Sequence, residues 1–148
     1  MNAMLHPAIP YAIRGAIWYQ GESNVSRAAQ YETLFPAMIE DWRARWGQGD
    51  FPFYFVQLAP YNYGAPEACA ELREAQSKAL QLPNTGMAVI MDVGNPADIH
   101  PKNKEPVGYR LALMALGDVY DQEVVSRAPT CCCLEKKGGT LVLQFVIG

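Results

Sequence analysis

The 148-residue sequence lacks several features that mark particular classes of protein. It has no apolar run approaching the roughly 20 residues that a membrane-spanning helix needs, so we expect no membrane association. Its formal net charge of −3 comes without a basic cluster, which gives no reason to expect a nucleic-acid partner. The N-terminus has no charged segment followed by an apolar one, so it does not have the pattern of a signal peptide.

Residues that bind metals are also scarce. The sequence has two histidines and four cysteines. Three of the cysteines are consecutive at 131–133, and adjacent thiols without a nearby histidine do not fit a tetrahedral metal site. Free thiols are the simplest interpretation, and we expect neither a metal ion nor another cofactor.

What the sequence does contain is an alternation of apolar runs with amphipathic segments, at 50% hydrophobic and 18% charged residues. The apolar runs predict buried strands at 13–20, 51–58 and 87–91. Helical spacing of apolar residues predicts helices over 28–46 and 67–82 and a third that begins near Pro106. Continuous apolar strands alternating with helices indicate an α/β fold, in which helices cover both faces of a parallel sheet.

Two local features qualify this pattern. Pro36 lies inside the first predicted helix, so a kink or break is expected at Phe35. Residues 129–148 form a β-rich tail, in which Thr140–Ile147 reads as a strand that pairs with 131–135 in a hairpin. The expected division is therefore a domain over 1–128, followed by this tail or the start of a further β unit.

The first motif with chemical meaning is the heptapeptide Trp18–Asn24, which directly follows an apolar run. Open α/β sheets handle their ligands at the carboxyl ends of strands. In one interpretation Ser23 is a nucleophile. In the other, Gly21 lets a substrate approach the backbone, and the amides of Gln20 or Asn24 donate hydrogen bonds to an oxyanion. Capping of the next helix by Ser23, Asn24 or Ser26 is compatible with both.

The second motif, Asp98-Ile99-His100-Pro101, also follows an apolar run. Asp98 is close enough in sequence to orient one ring nitrogen of His100, which leaves the other nitrogen free to take a proton. A solvated loop histidine without a catalytic role is the alternative. Together the two motifs suggest an acyl-transfer site with His100 as its general base and Asp98 as its acid.

Three segments, Trp18–Asn24, Glu71–Gln76 and Asp98–Lys104, resemble the sialate O-acetylesterase family of SGNH (GDSL-like) hydrolases over about residues 1–128. The resemblance implies a flavodoxin-like three-layer α/β/α fold and a periplasmic or secreted location. It also implies removal of O-acetyl groups from sialic acid or a related sugar through a serine acyl-enzyme. Its implied site consists of the base His100, the oxyanion contacts Gln20, Gly21 and Asn24, and the candidate substrate contacts Arg73 and Gln76.

The sequence departs from the family pattern in two ways. The family's nucleophile turn is expected upstream of this chain, which would make the chain the C-terminal portion of a catalytic domain whose sheet is incomplete. Ser23 is then the alternative nucleophile, and a catalytically inactive carbohydrate-binding remnant is the alternative function. Asp98 lies two residues before His100, whereas many SGNH enzymes place the acid three before, at Ala97 here.

An incomplete sheet has a consequence for assembly. Residues 13–19 would form an exposed apolar strand edge, and such edges pair readily with other strands. We therefore expect a homodimer or pairing with the missing N-terminal segment, in addition to an O-acetylated sugar as substrate.

Overall fold

The computed structural model of the protein describes residues 4–146. Its main sheet has three parallel strands in the order β1-β2-β3, namely β1 (Ala16–Trp18), β2 (Phe53–Val56) and β3 (Thr85–Ala88). The three α-helices are α1 (Ala28–Trp46), α2 (Pro66–Lys78) and α3 (Glu105–Tyr120). Short 3-10 helices cover His6–Ala8, Glu22–Arg27 and Ala79–Gln81.

Helices cover both faces of the sheet, and the alternation of side chains along β2 shows how. Phe53 and Phe55 are fully buried in a core formed with α1 and α2. Tyr54 and Val56 point to the other face, where they are buried with residues of α3. Since strands in a parallel sheet with two covered faces must be apolar throughout, the three-layer α/β/α prediction is confirmed.

Helix α1 has the bounds that the apolar spacing predicts. Tyr31, Phe35 and Ile39 form its buried stripe, and the Phe35 ring lies 5.0 Å from the Phe55 ring. Of the expected kink or break at Phe35, the break is wrong, because the helix runs unbroken through Pro36, and the kink stays a prediction. Buried contacts on both sides of the proline hold the two halves against the same sheet. Gly47 ends the helix at φ 63°, and its N–H donates to Arg43 O.

The strands are shorter than predicted. The prediction followed the apolar residues, and these stay buried beyond the point where the strand stops pairing with its neighbour. Leu58, for example, is buried although β2 ends two residues earlier. Strand β3 begins at Thr85, two residues before the predicted start. Its second residue, Gly86, gives little strand signal, but a Cβ there would lie 2.7 Å from the Met114 sulfur of α3. Glycine therefore permits the close approach of α3 to the sheet.

The second predicted helix is divided in the structure. Helix α2 ends at Lys78, and the 3-10 turn Ala79–Gln81 continues it. An ion pair within α2 joins Lys78 Nζ to Glu74 Oε1 at 3.5 Å.

The tail forms the expected antiparallel hairpin of β4 (Thr130–Lys137) and β5 (Thr140–Val146), with Gly138 at φ 62° in its turn. Ile147, the last residue of the predicted strand, lies outside the described residues. Among the described residues the hairpin pairs with no other strand, and nearly all of its side chains are exposed, including the free cysteines at 131–133. The domain division after residue 128 stays a prediction.

The amino ends of β2 and β3 are held by Arg43, a buried residue of α1. Its guanidinium donates to Phe51 O at 2.8 Å and to Pro83 O at 2.8 Å. Burial lowers the pKa of Arg43 from its ordinary value. Among residues 4–146, no helix has both the length and the apolar character that crossing a bilayer requires.

Candidate active site

The two motifs lie in loops at the same end of the sheet, the end where the strands terminate. Because all three strands are parallel, the loops 19–27, 57–65 and 89–104 that follow them leave from the same end. These loops contact one another. The N–H of Asn62 donates to Pro96 O at 3.0 Å, and Lys104 Nζ lies 4.6 Å from the centroid of the Tyr19 ring. Gln20, Asn24, Asp98 and His100 thus belong to connected loops.

Gly21 shapes the first of these loops. Its φ of 154° is rarely adopted by other residues, and a Cβ there would lie 3.2 Å from Gln76 Nε2. The chain then enters a short 3-10 helix, in which the Asn24 N–H donates to Gly21 O at 2.8 Å. This turn brings Asn24 back beside Gln20.

Gln20 and Asn24 form a pair through their side chains. Gln20 Nε2 donates to Asn24 Oδ1 at 2.9 Å, which fixes the orientation of the Asn24 amide. Asn24 Nδ2 has no hydrogen-bond partner within the described part of the chain and is not among its buried unpaired atoms. The pair therefore presents an oriented amide donor, which is the group that an oxyanion requires.

Gln76 lies beneath this pair. It is fully buried, its Oε1 accepts from the Leu58 N–H at 2.8 Å, and its Nε2 donates to Gln20 O at 3.3 Å. A side chain that is completely buried and bonded to the main chain does not face a substrate. In this structure Gln76 connects the loops that follow β1 and β2 and supports Gln20.

Tyr31 is a second support for Gln20, and the sequence reasoning missed it. Its hydroxyl lies 3.3 Å from both Gln20 O and Gln20 Oε1. Burial raises the pKa of Tyr31, so the phenol stays a donor. The available signal was a tyrosine on the buried stripe of α1, because a buried phenol generally needs a hydrogen-bond partner.

The loop that carries His100 is anchored at its start. Arg110 of α3 holds Asp92 with two hydrogen bonds, Nη1 to Oδ1 at 2.7 Å and Nη2 to Oδ2 at 2.6 Å. These bonds lower the pKa of Asp92 to about 2. Further along, a Cβ on Gly94 would collide with the Pro60 ring, so the loop packs tightly on the loop after β2.

Asp98 contacts the main chain of His100. Its Oδ1 accepts a hydrogen bond from the His100 backbone N–H at 2.9 Å. The His100 side chain is exposed, and within residues 4–146 no hydrogen bond joins its ring to Asp98. Asp98 therefore braces the turn on which His100 sits, and its role as the triad acid stays a prediction.

The remaining predicted residues lie around this end of the sheet. Ser23 is exposed within the 3-10 helix, and its backbone O accepts from Arg27 Nη2 at 3.4 Å. The expected side-chain cap of α1 is absent, since Arg27 occupies the N-cap position without a capping hydrogen bond. Arg73 is half-buried on α2, and its Nε donates to Leu58 O at 3.1 Å. Over residues 4–146, no group of three histidine, cysteine or acidic residues is arranged to hold a metal.

Comparison with known proteins identifies the family. Residues 1–116 match the carbohydrate esterase family described as sialic acid-specific acetylesterase. This chain belongs to the sialic acid-specific acetylesterase family. The match contains the heptapeptide with Gln20 and Asn24 as well as the loop with His100.

Curated relatives of this acetylesterase-family chain are sialate O-acetylesterases. The mouse protein is 39% identical over 144 residues, covering 82% of this chain and 26% of the relative. The human protein is 36% identical over 142 residues, covering 82% and 27%. The chain thus spans about a quarter of the length of the relatives it matches.

A solved structure gives the same assignment for the fold. A carbohydrate acetylesterase from Xanthomonas citri superposes on the chain with a TM-score of 0.92 and 47% sequence identity. The match covers 99% of this chain and 35% of that one. The acetylesterase-family fold therefore includes both the parallel sheet and most of the β4–β5 hairpin.

Proposed function

We propose that this chain supplies the general base and the oxyanion donors of an esterase that removes O-acetyl groups from sialic acid or a related sugar. The observation that carries the proposal is the Gln20–Asn24 pair, whose amide donor lies in a loop connected to that of His100. Family membership supports an acetyl ester and a sugar as the substrate.

In the proposed mechanism a serine hydroxyl attacks the acetyl carbonyl while His100 takes its proton. Asn24 Nδ2 and nearby backbone N–H groups stabilise the oxyanion that forms, with Gln20 holding Asn24 in place. His100 then gives the proton to the departing sugar oxygen, which leaves an acetyl-enzyme. Finally, His100 activates a water molecule that releases acetate and restores the serine.

We propose that the nucleophile lies outside residues 1–148. Ser23 belongs to a short 3-10 helix, and within the described residues no basic side chain accepts a hydrogen bond from its hydroxyl. A nucleophilic serine needs an adjacent base within about 3 Å. For Asp98 we propose either a shift of its carboxylate from the His100 main chain to the ring, or orientation of the ring by a backbone carbonyl instead.

The 148-residue chain alone is accordingly expected to release little or no acetate from O-acetylated N-acetylneuraminic acid, because the covalent route needs the nucleophile. Acetate release by the wild type and by Ser23→Ala, together with mass spectrometry after treatment with a fluorophosphonate, measures this. Robust release that disappears in Ser23→Ala, with the label on Ser23, would instead make Ser23 the nucleophile. Binding of the sugar by a form that contains a nucleophile turn, but without acetate release, would favour the alternative of a carbohydrate-binding remnant.

We also propose that the free edge of β1 pairs with a further strand. Within residues 4–146, β1 pairs on one side only, with β2, and its central residue Ile17 is 71% exposed. An apolar hollow of about 170 Å³ lies beside it, lined in part by Ala115, Val119 and Tyr120 of α3. Exposed apolar edges of this kind favour pairing with a second copy or with a segment outside residues 1–148.

Pairing with a second copy predicts concentration-dependent dimers that Ile17→Lys weakens, because a charge at the centre of a strand edge opposes edge-to-edge pairing. Sedimentation velocity over micromolar concentrations measures the effect. Leu80→Lys is the matched control, since Leu80 is 44% exposed on the 3-10 turn that packs against β3, at the other side of the sheet from β1. A wild type that stays monomeric throughout would contradict pairing between copies.

A further inference from the structure

A separate cleft lies between the loop after β2 and the loop that carries Asp98. It encloses about 230 Å³, and its walls include Tyr61, Asn62, Tyr63, Cys69, Arg73 and Pro96. The hydrogen bond from the Asn62 N–H to Pro96 O joins the two loops at 3.0 Å, so the walls are held together without a ligand. The oxyanion donors described above do not line this cleft.

One wall of the cleft is aromatic. The rings of Tyr61 and Tyr63 pack edge to face, with centroids 4.8 Å apart and an interplanar angle of 84°. The Tyr63 hydroxyl is buried without a hydrogen-bond partner in the described part of the chain. Burial, with a contribution from the charge of Glu22, raises the pKa of Tyr63, so the hydroxyl stays protonated. The two rings give the cleft an aromatic surface that suits a ligand with an apolar face, such as the face of a sugar ring.

The cleft also carries a positive charge. It comes from Arg73, the one cationic side chain that lines the cleft. Its Nε is anchored on Leu58 O at 3.1 Å, and within residues 4–146 it forms no salt bridge. Both terminal Nη groups are therefore available for a ligand. The contrast is with the arginines that do pair with carboxylates, namely Arg43, Arg45, Arg110 and Arg127. A guanidinium fork of this kind recognises a carboxylate through two parallel hydrogen bonds.

We infer that this cleft binds the carboxylate-bearing ring of an acidic sugar, with Arg73 on the carboxylate and Tyr61 and Tyr63 against the ring. The inference rests on the proposed function for the sugar itself. It adds the residue that selects an acidic sugar over a neutral one, and it requires no turnover by this chain.

The test is an NMR titration of the ¹⁵N-labelled 148-residue chain with N-acetylneuraminic acid and with its methyl ester. The ester keeps the ring and removes the negative charge. The acid is expected to bind at least about tenfold more tightly than the ester, which is the discrimination that loss of one charge-assisted contact produces. Amide signals of residues 61–63 are expected to move with it.

Substitutions of Arg73 test whether this side chain produces the preference for the acid over the ester. Arg73→Gln is expected to bind the acid as weakly as the ester, while Arg73→Lys keeps part of the preference. Arg27→Gln is the matched control, because Arg27 is exposed and lies on the 3-10 helix outside the cleft. Unchanged dispersion of the ¹⁵N spectrum shows that each variant is folded.

Equal binding of acid and ester by the wild type would overturn the inference, and this comparison does not depend on any variant folding. Retention of the preference by folded Arg73→Gln would overturn it as well. If an O-acetylated neutral sugar shifts the Asn24 side-chain signal while the acid shows no preference, only this inference fails. If the acid is preferred but acetyl esters leave Asn24 unaffected, the proposed function fails and the cleft remains.

Discussion

Replacing Gln76 with leucine is expected to destabilise the fold by about 3 kcal/mol, because buried polar groups would lose their partners. Leucine has a similar volume but cannot accept from the Leu58 N–H, as Gln76 does at 2.8 Å, or donate to Gln20 O and Val56 O, as Gln76 does at 3.3 and 3.4 Å. The loop with Gln20 would lose a support as well. Urea unfolding measures the change in the free energy of unfolding.

The same substitution at Gln81 is the control for Gln76. Gln81 is exposed on the 3-10 turn after α2, so Gln81→Leu is expected to change stability by less than about 0.5 kcal/mol. Equal unfolding midpoints for Gln76→Leu and the wild type would show that the buried amide does not stabilise the fold.

Arg43→Met is expected to cost a similar amount, about 3 kcal/mol, through the loss of buried hydrogen bonds to the main chain. Arg43 is 6% exposed and bonds to Phe51 O and Pro83 O at the amino ends of β2 and β3. Methionine fills most of the space but leaves these carbonyls without donors. Thermal and urea unfolding of the variant measure the effect.

Arg45→Met is the matched control for Arg43, since Arg45 is exposed and bonded to Asp41 one turn away on α1. Surface ion pairs of this kind contribute about 0.5 kcal/mol or less.

The two buried variants, Gln76→Leu and Arg43→Met, are expected to differ in their effect on the Gln20–Asn24 pair. Gln76→Leu is expected to shift the side-chain NMR signals of Gln20 and Asn24, whereas Arg43→Met acts at the far end of the sheet and leaves them in place. Identical shifts from both variants would contradict this division.

The buried side chains of Gln76 and Arg43 show what a sequence pattern does not reveal. Helical spacing predicted the bounds of α1, because its buried stripe fixes the face that meets the sheet. The family resemblance made Gln76 a candidate substrate contact, with a solvated helix face as the alternative, whereas the structure buries its side chain completely. Its burial depends on the loops after β1 and β2 passing over it, and that is a property of tertiary structure.

The strands illustrate a second limit. Apolar runs show which residues are buried. Residues can remain buried beyond the point where a strand stops hydrogen-bonding to its neighbour. Leu58 and Ala59 are buried after β2 has ended, so its predicted end was two residues late. Gly86 lies within β3 but lacks the side chain that marks a strand.

For the site, parallel topology was sufficient to place both motifs at the same end of the sheet, where the strands terminate. The partner of Asp98 was not predictable, because a spacing of two residues allows its carboxylate to reach either the His100 ring or its main chain. The structure shows the bond to the main chain. Tyr31 lies on the buried stripe of α1, and apolar spacing alone does not show that its hydroxyl bonds to Gln20.

The central claim is that His100, Gln20 and Asn24 form one site for an acetyl ester, and NMR titration of the chain with O-acetylated N-acetylneuraminic acid tests it directly. Slow turnover by the isolated chain makes an equilibrium titration feasible. The His100 imidazole signals and the side-chain amide signals of Gln20 and Asn24 are expected to shift along one saturation curve. The side-chain amide of Asn84, bonded to Asp50 O at the opposite end of the sheet, is expected to stay fixed. An ester that leaves all three site residues unaffected, or that moves His100 without either amide, would contradict the account.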